Sequence, residues 1–283
     1  MQGVRGGAGR GRRGGRSVAV VHVPGVTVAD VHASAVVDPT ARLADGVQVG
    51  PLCVIEADVE VASGTRLLPG TVLLNGTRVG ARCTLGPYAV LGGAPMDHDH
   101  AGEVSEVIVG DDVEVRDFAT IHRATGTGNA TRVGSDALVM SYAHVSHNVQ
   151  VGRGVVLTTT VQLGGHAEVH DYATLGAGAM VHQFTRVGAY AMVGAASAVN
   201  RDVLPFALAR GTMAEHYRLN GVGLKRHGID GDRYRNLERA FRALRKRDGC
   251  GFEALADASH DVAFVRDFIA ASRRGISAFR GRA

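Results

Sequence analysis

An aliphatic residue recurs at every sixth position through most of this 283-residue chain. Stepping from Val31 gives Val37, Leu43, Val49, Ile55, Val61, Leu67, Leu73, Val79, Leu85 and Leu91. The series continues at Val109, Val115 and Ile121, then from Val133 to Val199 without a slip. Of the thirty positions between Val31 and Pro205, twenty-six are aliphatic. Four residues after the aliphatic comes a small or β-branched side chain, as at Ala35, Val47, Cys53, Thr65 and Thr71. Glycine often follows it directly, as in Val49-Gly50 and Val151-Gly152. An amphipathic helix needs spacings of three and four, and a half-buried strand needs a spacing of two. A period of six instead predicts very short strands joined by tight turns, with three hexads closing each coil of a triangular prism. Stacked coils then bury one continuous aliphatic column. Glycines and small polar residues are expected at the corners, where positive φ and close backbone approach are needed.

Two interruptions keep phase with the repeat, a polar His/Asp-rich stretch over residues 92–108 and a Gly/Thr-rich one over 126–132. Both read as extruded loops. After Pro205 the hexads stop, and Asp232–Asp248 and Asp261–Ser272 read as helices, with Leu237, Phe241 and Leu244 at helical spacing. The expected organisation is a Gly/Arg-rich tail and lead-in over 1–30, a β-helix over 31–210 and an α-helical C-terminal domain over 211–283. Residues 1–16 read as a flexible tail or an over-extended start; the formal GxGxxG at Gly9–Gly14 follows no strand and is not a nucleotide fingerprint.

Aromatics are 5% of the chain and Trp is absent, so the column must be Val, Leu, Ile and Ala. The formal charge of +4 does not imply nucleic acid, because the basic residues gather at the two ends and are not interleaved with aromatics. From Gly221 to Ala283 there are fourteen Lys/Arg against eight Asp/Glu, a surplus that suits either a solvated face or an acidic partner. Cys53, Cys83 and Cys250 are odd in number and far apart, which points to a reducing compartment, by default the cytoplasm, and to no structural zinc. No apolar run reaches the roughly 18 residues of a membrane span.

Reactive side chains break the aliphatic pattern in the middle coils, at His122, His144, His147, His166 and His182. Stacking every third hexad places Gly165 above His147 and Gln183 above Gly165, so these residues share one edge. Imidazoles serve either acid-base chemistry or metal binding. His144-x-x-His147 is the nearest approach to a ligand pair, but no cysteine or well-placed carboxylate accompanies it, so neither metal nor cofactor is expected.

Ile121-His122-Arg123, Ala143-His144-Val145-Ser146-His147, Leu163-Gly164-Gly165-His166, Val181-His182-Gln183-Phe184 and Gly223-Leu224-Lys225-Arg226 resemble, in order and spacing, the UDP-N-acetylglucosamine O-acyltransferases of lipid A synthesis. The resemblance covers Val31 to the C-terminus. It implies a left-handed parallel β-helix forming a homotrimer, with active sites in clefts between prisms. It also implies transfer of a 3-hydroxyacyl group from acyl carrier protein to the sugar 3-hydroxyl. A sugar hydroxyl is a poor nucleophile at neutral pH, so a base near pKa 6.5 suits the reaction, and His147 is the expected base. The backbone N–H of Gly165 would bind the tetrahedral oxyanion. By the same resemblance His144 and His166 orient sugar and pantetheine, while His122, His182, Gln183 and Asp97 complete substrate binding. Asn220 and Arg226 would hold the nucleotide, and Ala195 would act as the acyl-chain ruler.

Three positions depart from the family pattern. Asp97-His98-Asp99 stands for its Asp-Leu-Lys, Asn148 for the aspartate after the catalytic histidine, and Val222 for a glutamate near the uracil. Other readings therefore stay open: a related acyltransferase using coenzyme A or another acceptor, or a trimeric scaffold that binds without turnover.

Overall fold

A computed structural model describes residues 29–281; residues 1–28, with the tail and Gly9–Gly14, and the last two lie outside the described residues. Each hexad forms a strand of two residues in most cases, separated from the next by a corner turn. The first residue of such a strand faces out and the second faces in. Pairing runs parallel at a step of three hexads, as in Val31↔Val49, Val145↔Leu163 and Leu163↔Val181. Successive strands therefore fall on successive faces, giving sheets of eleven, nine and eight strands. Below they are the first, second and third sheets, starting at Asp30–Val31, Val36–Val37 and Arg42–Leu43. The prism winds left-handed, against the usual crossover rule.

Every aliphatic hexad position from Val49 to Val199 is buried. Val31 is 41% exposed, because among the described residues the first coil has a neighbour on one side only. The small positions fill the gaps between larger side chains: Cys53, Cys83 and Ala89 are fully buried, and so are Thr65, Thr71 and Thr77. Each threonine hydroxyl is satisfied by a backbone carbonyl, such as Gly80 O at 2.8 Å from Thr65 Oγ1. Glycine after the aliphatic allows coils to touch: a Cβ on Gly134 would lie 2.6 Å from the carbonyl carbon of Gly152.

The corners differ from expectation. Left-handed φ is adopted by Gly46, Gly64 and Gly70, but also by Tyr88, Phe118, Tyr142, His166, Tyr172, Phe184, Tyr190 and Phe206. That conformation costs a non-glycine residue roughly 1–2 kcal/mol. Stacking in ladders offsets it: Tyr88, Phe118 and Tyr142 lie 5.4 and 5.1 Å apart, and Tyr172, Tyr190 and Phe206 lie 5.2 and 5.6 Å apart. Each stacked pair contributes about 0.5–1.5 kcal/mol beyond area burial.

The coil ends in an antiparallel hairpin, Ala207–Arg210 with Glu215–Leu219, followed by four helices. They are α1 (Gly221–Arg226), α2 (Gly231–Lys246), α3 (Gly249–Ala258) and α4 (His260–Ala270). The sequence pattern anticipates α2 and α4. It misses α1, only six residues long, and α3, whose first turn carries Gly249 and Gly251 and is secured by Asp248 accepting from Gly251 N–H. Buried Asp202 ties this region to the last coil, accepting from Arg186 N–H at 2.9 Å and Ser272 Oγ at 2.7 Å. Arg233 clasps Asp261 with two bonds of 2.8 Å, joining α2 to α4.

Candidate active site

Both insertions leave the prism at the same corner, between the second and third sheets. Leu91 to Val109 spans three hexads where the equivalent step from Ile55 to Val61 spans one, and Ile121 to Val133 spans two. Whole hexads are inserted, so the phase survives while backbone accumulates over one edge. That edge carries His147, Gly165 and Gln183, the first corner residues of three successive coils.

His147 is 8% exposed. Its Nδ1 lies 2.9 Å from Asn148 Oδ1. The Asn148 amide cannot flip, because Thr125 grips both its ends: Thr125 N–H donates to Oδ1 at 2.8 Å, and Asn148 Nδ2 donates to Thr125 O at 3.0 Å. An oxygen therefore faces Nδ1, which must carry the ring proton. The lone pair is left on Nε2. That nitrogen faces Gly165 so closely that a Cβ there would meet it at 2.4 Å.

Gly164 and His166 donate their N–H groups to Val181 O and His147 O, while Gly165 N–H has no acceptor among the described residues. The repeat itself leaves this group unused. Pro51, Pro69, Pro87 and Pro205, which have no N–H, occupy the same corner position elsewhere. On this edge the residue that carries the spare donor sits against the imidazole.

Asp97, expected to bind substrate, is carried by the first insertion to His147, its Oδ2 3.6 Å from Nδ1. This corrects the expectation that no carboxylate accompanies the histidines. It also answers the loss of aspartate at 148: Asn148 orients the ring, and Asp97 supplies the negative charge. Loop landing sites have no periodicity, so spacing could not show it. The Thr125 hydroxyl beside Asp97, followed by the Asp99 amide, holds the carboxyl below the ordinary range, while desolvation opposes them.

The His166 ring stands perpendicular to His147 at 5.3 Å and stacks on Phe184 at 4.7 Å. Burial, then the neighbouring His147, lowers its pKa, and Asp97 works the other way. On the adjoining second sheet His144 meets His122 edge-on at 5.0 Å, with Nδ1 2.8 Å from Thr120 Oγ1. Burial, and then His122, pushes His144 down to about 4, so it is neutral at physiological pH. His122 Nδ1 is 2.7 Å from Ala94 O at the root of the first insertion. His182 and Gln183 are exposed further along the same wall.

Three expected site residues are not brought to this edge. Asn220 caps α1, accepting from Gly223 N–H at 3.2 Å and donating to Tyr190 O at 3.0 Å. Tyr190 belongs to the corner between the third and first sheets, and Arg226 follows on the same short helix. Ala195 lies on the remaining corner, between the first and second sheets. The residues expected to act as base, nucleotide holders and ruler are thus spread around the three corners of one prism rather than gathered at one.

Asp97, His147 and His166 have donor atoms within 4.8 Å of one another and could hold a metal ion. The lone pair on Nε2, opposite an Asn148-bound Nδ1–H, suits proton transfer directly.

A left-handed hexapeptide β-helix whose edge pairs an oriented imidazole with a spare backbone N–H defines the class of hexapeptide-repeat acyltransferases. The family model for domain 2 of UDP-N-acetylglucosamine O-acyltransferase matches residues 202–277. The acyl-[acyl-carrier-protein]–UDP-N-acetylglucosamine O-acyltransferase of Thermodesulfovibrio yellowstonii is 38% identical over 255 residues, covering 87% of this chain and 98% of that protein. The protein of the same name from Alkalilimnicola ehrlichii is 42% identical over 249 residues, 86% of this chain and 96% of the other. The crystal structure of the Francisella novicida UDP-N-acetylglucosamine acyltransferase superposes with a TM-score of 0.85 at 30% identity, covering 89% and 95% of the two chains. The chain belongs to the UDP-N-acetylglucosamine O-acyltransferase family.

Proposed function

We propose that this protein transfers a 3-hydroxyacyl group from acyl carrier protein to the 3-hydroxyl of UDP-N-acetylglucosamine or a related nucleotide sugar, with His147 as general base. The observation that carries the reading is the free Nε2 lone pair of His147 set against Gly165, whose N–H is unused among the described residues. Nε2 takes the hydroxyl proton as the sugar oxygen attacks the thioester carbonyl. The resulting oxyanion meets Gly165 N–H, a donor typically worth about 3 kcal/mol. Collapse breaks the C–S bond, and the departing thiolate recovers the proton from the imidazolium. Asp97 stabilises that imidazolium while it lasts.

His166 and His144 orient pantetheine and sugar, and His122, His182 and Gln183 complete the wall. Val222, exposed on α1, offers no acceptor to a base, so phosphate contacts through Arg226 carry more of the nucleotide recognition. Since Asn220 and Arg226 lie on another edge, a neighbouring copy has to bring them to His147, which supports a homotrimer with sites between prisms. The cationic helical region suits an acidic carrier protein, and the reaction belongs in the cytoplasm; among the described residues no helix is long and apolar enough to cross a membrane.

The test is an assay of the purified protein with 3-hydroxyacyl carrier protein and a panel of UDP-sugars, alongside coenzyme A thioesters and His147→Ala. Carrier-dependent ester formation that His147→Ala abolishes is the expected result. A variant as active as the parent, or no turnover with any pair, would remove the assignment.

A further inference from the structure

Two insertions of unequal length have to place Thr125 and Asp97 closely enough for the His147 ring to keep its tautomer and direction. Backbone pairing supplies part of this: Gly128 N–H donates to Val104 O and Glu106 N–H to Asn129 O, both at 3.0 Å. A side chain of the first insertion adds a further link to the second. Glu103 accepts from Gly126 N–H through Oε1 at 2.7 Å and from Ala101 N–H through Oε2 at 2.8 Å. His100 Nδ1 lies 3.2 Å from Oε1.

The residue before Gly126 is Thr125, the one that grips both ends of the Asn148 amide. We infer that Glu103 is a positioning residue for acyl transfer: by joining the insertions it holds Thr125 to Asn148, and through Asn148 it aims His147. The inference rests on the reading of His147 as the base.

A carboxylate suits this place because it can accept at both oxygens while donating nothing. The amides of Gly126, Glu103 itself and Ala101 all converge on it and lower its pKa to about 2. A glutamine would keep one oxygen and turn an NH2 toward the other donors. Glu103 touches neither the base nor the edge wall, so its effect must pass through the loop.

Turnover by full-length Glu103→Ala and Glu103→Gln tests this. Loss of a partner that orients a metal-bound histidine typically costs about 10–100-fold, and the same scale is taken for a base held through an intermediary. Glu103→Ala should lose kcat on that scale while the KM for the nucleotide sugar changes less than about twofold, with Glu103→Gln between it and the parent. A purely structural role predicts instead a lowered Tm with parental kcat per folded site, and that outcome overturns the proposal. So does an equal effect on kcat from Glu103→Gln and Glu103→Ala, since the retained oxygen should rescue in part. His147→Ala run in parallel keeps the two readings apart. If it is inactive while Glu103→Ala matches the parent, the positioning role alone falls; if it is active, the base assignment falls and takes the positioning role with it.

Discussion

Nε2 of His147 sits over the α-carbon of Gly165 with no room for a methyl group between them. On the proposed mechanism the pair supplies a base and an oxyanion donor, and the two come from neighbouring coils, three hexads apart in the chain.

Gly165→Ala puts a Cβ 2.4 Å from Nε2 and must turn the ring or shift the corner. Gly165 has ordinary φ, so the backbone itself tolerates alanine. We expect kcat to fall by about 10² or more, the scale of losing an oxyanion donor or misaligning a base, with Tm nearly unchanged. Steady-state kinetics with a thermal melt checks this; near-parental kcat would contradict the close approach.

Asn148 has φ of +60°, so Asn148→Gly removes the side chain without backbone strain. Nδ1 then loses its acceptor and either tautomer becomes accessible. A fall in kcat of about 10–10²-fold is expected, smaller than that of His147→Ala because Asp97 stays 3.6 Å away. Double substitution with Asp97→Asn should cost more than Asn148→Gly alone.

Acid stability follows from two histidines. His144, pushed to about 4 by burial and then by His122, and His216, pushed to about 4 by burial, are neutral in the fold. In the unfolded chain they titrate near 6.5. The unfolded state therefore binds more protons between these values, so this stability is complete above about pH 6.5 and is lost as pH falls towards about 4. Tm measured across that window should decline, and His144→Gln should flatten the decline by removing one of the two groups. A slope unchanged by the substitution would exclude His144 as a contributor.

The division of residues among edges makes a prediction about mixing. His147→Ala and Arg226→Ala chains should each be nearly inactive, yet co-expressed they should regain turnover, because a site drawing His147 from one chain and Arg226 from the next can be intact. Absence of recovery in mixed assemblies would place both functions in one chain.

Ala195 tests the acyl-chain assignment. Replacing it with Gly should shift preference to longer 3-hydroxyacyl carriers by removing one methyl group from the end of the groove, a change worth about 1 kcal/mol or roughly fivefold in selectivity. Competition between two chain lengths reads it directly.

Much of this protein is arithmetic that the sequence already contains. A period of six makes three hexads one coil, so the buried column from Val49 to Val199, and the stacking of His147, Gly165 and Gln183, follow from counting. The insertions are visible as breaks that keep phase, since only whole hexads can be added without rotating every later side chain off its face. The separation of Asn220 and Arg226 from the base lies beyond counting, because the hexads stop before those residues. The corner ladders of Tyr and Phe also escape it, because the stacking that offsets their left-handed φ joins rings from different coils. The contact of Asp97 with His147, the Thr125 grip on Asn148 and the reach of Glu103 to Gly126 belong to tertiary structure alone. A periodic lattice places its own members by translation, whereas an extruded loop lands where its hydrogen bonds close, and nothing in a hexad count records that.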